Sequence, residues 1–599
     1  MTLMDSAPES TETARLRALA EAWLAEDPDP AGREELRAVL DALPGSAADL
    51  ADRFAGPLEF GTAGLRGPLR AGPNGMNLAV VRAAAAGLVA WLARRGAPGP
   101  LVIGYDARYR SRDFAVETAR VATGAGRPAL LLPRPLPTPI LAYAVRALGA
   151  PAGVMVTASH NPPGDNGYKV YLGAGLGGPA GDGAQIVPPA DAEIAAAIAA
   201  VGPLSAVPLG PEPSFPADRP GAPVPVAGAD GAAGADGGAG GDGAASADVL
   251  GEDIVERYLA AATGVVDPDR AGRDVAVAYT PLHGVGGPVL VAALERAGFG
   301  RPYVVAEQFA PDPDFPTVPF PNPEEPGAMD RAIALAAASG ADLAIANDPD
   351  ADRCAVAVPA GDPSRPRGWR VLRGDEVGVL IADHLMRRGV TGRYATTIVS
   401  SSLLGRICER RGLPYGETLT GFKWIVRAGA DLAYGYEEAL GYCVAPDLVR
   451  DKDGITATLL VCELAAGLKG ELRTLLDRLD DLYAEFGVVA TDQLSVRVDD
   501  LAEITEAMAH LRDKPPATLL DEPVSAVEDL LPAADVMILR AHGARVVVRP
   551  SGTEPKLKAY LEVSEPVPDG DVTAARNRAA ASLAALRTET ADALGVSNS

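Results

Sequence analysis

Residues 154–170 read VMVTASHNPPGDNGYKV, and this stretch decides how the first part of the chain folds. A short apolar run ends at residues 157–160, so the pattern predicts a buried strand that stops abruptly. The prolines and glycines that follow exclude both a helix and a regular strand. A stiff loop is therefore predicted to hold one hydroxyl, that of Ser159, at the mouth of the strand, with Lys169 further along. A serine that completes an ordinary turn is the alternative, because serine is a common turn residue.

The segments around this loop alternate between apolar strands and alanine-rich helices. The predicted strands are LVIGYDAR (101–108), PALLLP (128–133) and GVMVTAS (153–159). The predicted helices between them are FAVETARVATGAG (114–126) and TPILAYAVRALGA (138–150). The same rhythm returns from residue 274 and again from residue 375, which predicts three layered α/β sections in series.

The remaining segments differ in composition and set the predicted boundaries. Residues 11–43 predict two amphipathic helices broken at Asp27-Pro28-Asp29-Pro30, and residues 488–599 predict a separate α+β domain. A stretch rich in Gly, Ala, Pro and Asp cannot build a packed core, so we expect a disordered surface insertion there. The predicted divisions are domain I at 1–202, the insertion at 203–250, domain II at 251–368, domain III at 369–487 and domain IV at 488–599.

Length, charge and cysteine content exclude several classes of protein. The 599 residues are too many for one core, since single cores stop growing at roughly 250–300 residues. The formal net charge of −25 argues against nucleic-acid binding. No apolar stretch reaches the length of about 20 residues that a bilayer requires, and the N-terminus lacks a signal-peptide pattern. The four scattered cysteines suggest reduced thiols, so we expect a cytoplasmic protein with no membrane partner.

A cluster of carboxylates follows the apolar strand ADLAIAND. Asp348, Asp350 and Asp352 alternate along the chain, so an extended backbone would point all three to one side. Their mutual repulsion would be relieved by a hard divalent cation, and oxygen ligands suit Mg²⁺. A calcium-binding EF-hand loop is excluded, because Arg353 and Pro359 stand where it needs Gly and Glu. A solvated acidic turn is the alternative.

Two later loops have the composition of ligand sites. The loop YGYEEALGY (434–442) pairs two carboxylates, which suit polyol hydroxyls, although a helix-start acid pair is the alternative. The loop RPSGTEPKLK (549–558) combines an arginine, two hydroxyls, a glycine and two lysines, which suits a phosphate. A tight turn with a basic face is the alternative there. The nucleotide P-loop and serine-hydrolase patterns are absent from the sequence.

Taken together and in order, these motifs resemble those of the α-D-phosphohexomutase family, which includes phosphoglucomutases and phosphomannomutases. The resemblance rests on TASHNPPGDNGYK, DPDADR, GYEEALGY and RPSGTEPKLKAY, and FGTAGLRG (60–67) and TGFKWI (420–425) support it. FGTAGLRG, FKWI and EEALGY look closest to the branch with phosphoglucomutase-2-like enzymes and phosphopentomutases. The family fold implies three similar mixed-sheet α/β domains plus a C-terminal α+β domain around a central cleft.

The resemblance also implies a role for individual residues. Ser159 would carry the transferable phosphoryl group, with Lys169, Arg66 and His160 as the other catalytic residues. An oxygen at Ser159 together with Asp348, Asp350 and Asp352 would hold one Mg²⁺ per chain. The residues that match substrate contacts are Arg353, Thr420, Glu437, Lys452, Arg549, Ser551, Gly552, Thr553 and Lys558.

The implied activity is a phosphosugar mutase, an isomerase that transfers a phosphoryl group within its substrate. Glucose 1-phosphate and glucose 6-phosphate are the first expectation, with a sugar 1,6-bisphosphate as intermediate and activator. Mannose or pentose phosphates are the alternatives, because Ala439 stands where many hexose enzymes have a hydroxyl. Intact Ser159 and the intact aspartate triad argue against a non-catalytic sugar-phosphate-binding protein. A small phosphorylated sugar is the expected partner, and no obligate protein partner is expected.

Overall fold

The computed structural model describes residues 11–61, 63–215, 245–269, 272–360, 368–498, 501–551 and 556–595. Within these ranges the chain forms two compact units. The first unit is drawn from 1–270, 275–359 and 443–460, and the second from 271–274, 360–442 and 461–599. Among the described residues, no helix has the length and apolarity needed to cross a membrane.

A short helical segment opens the first unit. Its helices are α1 (Thr11–Glu26), α2 (Pro30–Asp41) and α3 (Ala47–Arg53). The predicted break between the first two is confirmed. Pro30 starts α2, and the side chain of Asp29 accepts a hydrogen bond from the N–H of Ala31 at 3.1 Å. This is the ordinary N-cap of a helix whose first position is a proline.

The first α/β section contains the loop quoted at the outset. Its strands are β1 (Leu65–Pro68), β2 (Leu101–Tyr105), β3 (Ala129–Leu131), β4 (Ala152–Val156), β5 (Asp165–Leu172), β6 (Ala184–Gln185) and β7 (Ala247–Val249). Its helices are α4 (Leu78–Arg94), α5 (Ser111–Gly124), α6 (Thr138–Ala147), α7 (Ala174–Gly177) and α8 (Ala190–Ala199). The sheet order is β1-β5-β4-β2-β3-β7, and β6 pairs with β5. Strands β4, β2, β3 and β7 run parallel, whereas β5 pairs antiparallel with β4 and β1 pairs antiparallel with β5.

The prediction of a disordered insertion over 203–250 is wrong at both ends. Residues Leu204–Ala206 form a 3₁₀ turn, and Phe215 is buried in the core beneath the first sheet. At the other end, β7 extends the sheet by pairing in parallel with β3. Burial of the Phe215 ring and of the apolar residues near β7 stabilises both ends of the segment, although its average composition predicts disorder. The glycine-rich middle, 216–244, lies outside the described residues.

The second section also belongs to the first unit and repeats the alternation on a smaller sheet. Its strands are β8 (Val277–Thr280), β9 (Tyr303–Val304), β10 (Leu343–Ala346) and β11 (Ala355–Pro359). Its helices are α9 (Asp253–Thr263), α10 (Gly287–Arg296), α11 (Ala306–Phe309) and α12 (Asp330–Ser339). The strands lie in the order β11-β10-β8-β9, with β10, β8 and β9 parallel. The buried β10 ends immediately before the aspartate motif.

The third section forms a four-stranded sheet in the second unit. Its strands are β12 (Trp369–Val371), β13 (Arg393–Thr397), β14 (Tyr415–Thr418), β15 (Leu432–Glu437) and β16 (Gly441–Cys443), of which the last four form the sheet in the order β14-β13-β15-β16. The helices are α13 (Gly374–Arg387), α14 (Leu403–Arg411), α15 (Phe422–Ile425), α16 (Gly454–Gly470) and α17 (Leu475–Phe486). Both β14 and β15 run parallel to β13, so their C-terminal ends share one edge.

The fourth section is antiparallel and matches the predicted α+β domain. Its strands are β17 (Val488–Arg497), β18 (Thr518–Leu519), β19 (Glu522–Pro523), β20 (Ala526–Asp529), β21 (Met537–Ala541), β22 (Ala544–Pro550) and β23 (Lys556–Glu565). Its helices are α18 (Leu501–Asp513) and α19 (Val572–Ala593). The main sheet runs β17-β23-β22-β21-β20. That the domains surround a central cleft stays a prediction.

Hydrogen bonds to buried carboxylates join the third and fourth sections within the second unit. Glu562 on β23 accepts from Nη2 of Arg545 at 2.8 Å and from the N–H and hydroxyl of Ser402 at 2.8 and 2.7 Å. Asp375 on α13 accepts from the N–H of Ser401 at 2.7 Å and from the hydroxyl of Thr491 on β17 at 3.1 Å. These bonds carry buried charge across the junction, where an unpaired group would be costly.

Burial and the nearby carboxylates Glu438 and Glu562 raise the pKa of Asp375 to about 7. An unfolded aspartate titrates near 3.9, so the folded protein holds an extra proton between about pH 4 and 7. Stability from this group therefore falls as pH rises through that window, by a few kcal/mol at most. Replacing Asp375 by Asn should remove this contribution to the pH dependence of folding stability. The difference in melting temperature, variant minus parent, should be more positive at about pH 8 than at about pH 5; an unchanged difference contradicts it.

Candidate active site

The predicted nucleophile lies in the turn between two antiparallel strands. The loop that holds Ser159 joins β4 to β5, and register pairs Met155 with Lys169. The N–H of Ser159 donates to Oγ1 of Thr157 at 2.8 Å, and the φ angle of Ser159 is +51°. A non-glycine residue in this left-handed region is strained, and such strain persists only where surrounding contacts fix the backbone. The loop therefore presents Ser159 in one defined position.

The three predicted metal ligands converge, although by a different geometry from the one expected. Asp348, Asp350 and Asp352 are fully buried, and a ligand oxygen from each lies within 4.8 Å of the others. The backbone is not extended there, so the prediction of an extended strand is wrong. It folds into a turn in which the N–H of Ala351, at φ +53°, donates to the carbonyl of Asp348 at 2.9 Å. A tight turn brings alternate side chains together as effectively as a strand would.

Cationic and hydroxyl groups surround the triad and offset part of its charge. Nζ of Lys169 lies 2.8 Å from Asp350 and 3.5 Å from Asp352. Nζ of Lys452 lies 3.3 Å from Asp352, so a residue expected to contact substrate is found at the triad. The hydroxyl of Thr138, at the start of α6, donates to Asp350 at 2.7 Å.

The donor set fits a metal ion. Oδ1 of Asp350 and Oδ1 of Asp352 are buried and have no hydrogen-bond partner among the described residues. Burial and the charges of Asp352 and Asp350 raise the pKa of Asp348 well above its ordinary value. Buried carboxylate oxygens that lack donors are what a hard divalent cation would satisfy.

Ser159 is in direct contact with this cluster. Its Oγ donates to Oδ2 of Asp348 at 2.8 Å and lies 3.2 Å from Nδ1 of His160. Burial, together with the charges of Arg353 and Arg66, lowers the pKa of His160 well below its ordinary value. The imidazole is therefore neutral near pH 7, and a neutral ring can accept a proton.

Two arginines complete the cluster. Arg66 lies on β1 opposite Gly167 of β5, and its Nη1 donates to Oδ1 of Asn161 in the serine loop at 3.0 Å. The N–H of Arg353 donates to Oδ1 of Asp348 at 3.0 Å, and its Nη1 lies 3.2 Å from Glu324. Positive charge thus borders a hydroxyl and an acidic triad, an arrangement suited to phosphoryl transfer.

Thr138 and Asn161 were not predicted as parts of this site. Thr138 starts a helix, where a hydroxyl has an ordinary capping use. Its partner Asp350 is 212 residues away along the chain, so only the fold reveals the contact. Asn161 lies inside the quoted loop, and its position two residues after Ser159 could have identified it as part of the site.

The predicted sugar contacts lie in the second unit at one edge of the third sheet. Glu437 is the last residue of β15, and Thr420 follows the end of β14 by two residues. Because both strands run parallel to β13, these ends lie on the same side of the sheet. The neighbouring Glu438 accepts from the hydroxyls of Ser400 at 2.9 Å and Thr397 at 3.2 Å, which fixes the loop.

The predicted phosphate loop joins two antiparallel strands of the fourth sheet. Arg549 on β22 lies directly opposite Lys558 on β23. Like charges in that position repel, and an anion between them would offset that repulsion. Nε of Arg549 is buried and has no hydrogen-bond partner in the described part of the chain. The N–H of Ser551 donates to the carbonyl of Lys556 at 2.8 Å. Gly552 and Thr553 lie outside the described residues.

The fold and these groups define a phosphoryl-transfer enzyme, and comparison with known proteins gives its family. The matching descriptions are phosphoglucomutase/phosphomannomutase, alpha/beta/alpha domain I (57–202), domain II (256–361), domain III (373–486) and the C-terminal domain (494–579). The chain belongs to the phosphoglucomutase/phosphomannomutase family. It is therefore an enzyme of the mutase class, as the motifs predicted.

Similar proteins bear names that differ in substrate. A probable phosphomannomutase of Haemophilus influenzae is 42% identical over 82% of this chain and 93% of its own length. The phosphopentomutase of Mus musculus is 31% identical over 92% of this chain and 90% of its own. A phosphoglucomutase of Staphylococcus epidermidis is 30% identical over 85% and 91%. A solved phosphoglucomutase/phosphomannomutase family protein from Burkholderia thailandensis shares the fold, with a TM-score of 0.61, 18% identity and 87% and 96% coverage.

Replacing Asp350 by Asn should weaken binding of a divalent cation about 10-fold or more, because the site loses one of three anionic ligands. Calorimetric titration of Mg²⁺ or Mn²⁺ into parent and variant measures this without an activity assay. Asp182→Asn is the matched control, because Asp182 pairs with Arg146 away from the triad. Equal affinity of the parent and D350N for the cation would show that the triad is an acidic turn and not a metal site.

Proposed function

We propose that the protein interconverts glucose 1-phosphate and glucose 6-phosphate through a phosphoserine at Ser159 and a bisphosphorylated sugar. Mannose and pentose phosphates are the alternative substrates. The observation that carries the proposal is the 2.8 Å hydrogen bond from Oγ of Ser159 to the buried aspartate triad. A hydroxyl with only a structural role has no need of three buried carboxylates and two ammonium groups around it.

In this proposal Asp348, Asp350 and Asp352, with an oxygen of the phosphorylated Ser159, hold one Mg²⁺ per chain. The ion, when bound, neutralises negative charge on the transferred group. Support for this ligand set comes from the unpartnered buried oxygens of the triad. Lys169 and Lys452 add positive charge on the same side.

The transfer step is a displacement at phosphorus. A sugar hydroxyl oxygen attacks the phosphoryl group on Ser159, its bond to phosphorus forms, and the bond from phosphorus to Oγ breaks. The hydroxyl proton passes to a basic group, for which the neutral ring of His160 is placed, and the ammonium of Lys169 is placed to donate a proton to the released Oγ. The bisphosphorylated sugar then returns its other phosphoryl group to Ser159, which restores the enzyme. A sugar 1,6-bisphosphate would therefore also activate unphosphorylated enzyme.

Binding of the phosphate that does not react is assigned to the loop between β22 and β23. Support comes from the cross-strand pair of Arg549 and Lys558, whose repulsion a phosphate would relieve. The hydroxyl of Ser551 adds a donor, and Gly552 and Thr553 belong to the same proposed loop. The sugar is assigned to Thr420 and Glu437, with Arg353 as a further phosphate contact.

The choice of sugar is the finer part of the proposal. A carboxylate at Glu437 accepts from sugar hydroxyls, but Ala439 offers no hydroxyl of its own. One fewer polar contact weakens discrimination between sugars, since unpaired polar groups are what reject a wrong substrate. The names of the three relatives cover mannose, pentose and glucose enzymes, so substrate preference needs a direct measurement.

Turnover with a panel of sugar phosphates tests the function. With Mg²⁺ and a catalytic amount of the matching sugar bisphosphate, glucose 1-phosphate should give the highest kcat/KM, ahead of mannose 1-phosphate and ribose 1-phosphate. A higher value for mannose or ribose would replace glucose as substrate and keep the mutase assignment. No turnover with any of them would overturn the proposal.

Ser159→Ala is the matched control for the same assay, since it deletes one oxygen. It should abolish mutase turnover and lack the phosphate that we expect intact-mass and peptide analysis to detect on the parent. Full turnover in this variant would exclude Ser159 as the carrier.

Replacing Arg549 by Lys tests the phosphate loop. A lysine cannot form the two-pronged bond of a guanidinium, so KM for the sugar phosphate should rise about 10- to 100-fold. Ser159 should still be phosphorylated, and kcat should fall less than kcat/KM. Arg540→Lys on the neighbouring strand β21 is the control, because Arg540 pairs with Glu528 on the exposed part of the same sheet. Equal KM in R549K and R540K would exclude the loop as the phosphate site.

A further inference from the structure

A buried arginine, Arg108, donates hydrogen bonds to backbone carbonyls of the loop that holds Ser159. Arg108 follows strand β2, and its side chain is 1% exposed. Its Nη2 donates to the carbonyls of Ser159, at 2.6 Å, and Asn161. Its Nη1 donates to the carbonyls of Pro162 at 2.8 Å and Asp165 at 3.3 Å. One guanidinium therefore holds four carbonyl oxygens of a single loop.

These bonds act on the most strained point of the loop. The carbonyl held at 2.6 Å belongs to Ser159 itself, whose backbone has a positive φ. The N–H of the same residue is held by Thr157. A strained backbone relaxes unless its surroundings fix it, and both peptide groups of Ser159 are fixed here. Loosening Arg108 would let the hydroxyl move away from Asp348.

The other sides of the guanidinium are closed by two different parts of the first unit. The ring of Phe315, from the second section, lies over it with 4.9 Å between the ring centre and Cζ. Phe315 is 2% exposed and packs with Leu282, Val318 and Ala328. On the remaining edge, Nε lies 3.5 Å from the carboxylate of Asp106. Water is therefore kept from the underside of the serine loop.

We propose that Arg108 and Phe315 are positioning residues that commit the phosphoryl group on Ser159 to the sugar hydroxyl and keep it from water. The proposal rests on the function proposed above. In the competing reaction, a water oxygen attacks phosphorus and the bond from phosphorus to Oγ breaks. Oγ takes up a proton, and inorganic phosphate leaves. A rigid loop with a dry underside favours transfer, because a misplacement of about 1 Å can cost about 100-fold in rate.

Arg108→Lys and Phe315→Leu test the two halves of the arrangement. A lysine offers one nitrogen where the arginine uses two, and a leucine keeps apolar volume but loses the ring face. Arg127→Lys is the matched control. Arg127 is also buried in the first section and donates to two backbone carbonyls, those of Gly99 at 2.7 Å and Ala97 at 2.8 Å, away from Ser159.

Four quantities are measured for each protein: kcat and KM for the sugar phosphate, inorganic phosphate released per isomerisation, and melting temperature. R108K should lower kcat about 10- to 100-fold with little change in KM. It should raise phosphate release per isomerisation at least severalfold, and F315L should raise it to a smaller extent. R127K should change only the melting temperature, which is the effect of a purely structural arginine.

The outcomes separate this inference from the proposed function. If the parent turns over sugar phosphates but R108K and F315L release phosphate in the same ratio as R127K, the positioning role is wrong and the mutase function stands. If R108K does not fold, an unchanged ratio in F315L overturns the inference and a raised ratio supports it. A parent that neither carries phosphate on Ser159 nor turns over substrate overturns the proposed function, and this inference with it.

Discussion

Three buried carboxylates within 4.8 Å of one another are the constraint on which the first unit depends. Isolated buried charges of one sign cost many kcal/mol unless something offsets them, so the surroundings of the triad are set by that cost. Lys169 arrives on an antiparallel strand, Lys452 on a segment from much later in the chain, and Thr138 at the start of a helix. Each lies on a different element. The cost of burying the triad is therefore shared by several parts of the unit.

The same requirement explains why the chain returns to the first unit at residues 443–460. Tyr171 donates to Asp451 at 2.9 Å, and Tyr258 donates to Asp453 at 2.9 Å, on either side of Lys452. A side chain at Gly454 would meet the carbonyl of Arg353 at 2.2 Å, so glycine is needed for the close approach. The two tyrosines and the glycine fix the backbone that carries the ammonium to the triad. A single charge is thus supported by contacts from both α/β sections of the unit.

The sequence allowed most of the architecture to be predicted, because alternating apolar strands and alanine-rich helices are local patterns. The motifs of Ser159 and of the three aspartates were recognisable for the same reason. Contacts between residues far apart in the sequence were not recognisable. Arg108 lies 51 residues from Ser159, and nothing in the sequence around it indicates that it contacts the serine loop. The extended geometry assumed for residues 348–352 was wrong because a tight turn with a positive φ at Ala351 satisfies the same spacing. Average composition also misled at the ends of 203–250, where one buried phenylalanine and one short strand decide the outcome.

The fourth section places two cations opposite each other on neighbouring strands, at Arg549 and Lys558. Their repulsion is weakened by dissolved salt and is turned into attraction by any anion that lies between them. The cohesion of this sheet is therefore tied to the ionic composition of the surrounding solution. On the proposed assignment of this loop, inorganic phosphate and sulfate would act on the pair in the same sense as a sugar phosphate. In that proposal such ions would stabilise the pairing of β22 with β23 and compete with the sugar phosphate, so one electrostatic feature would link folding stability to inhibition by simple anions.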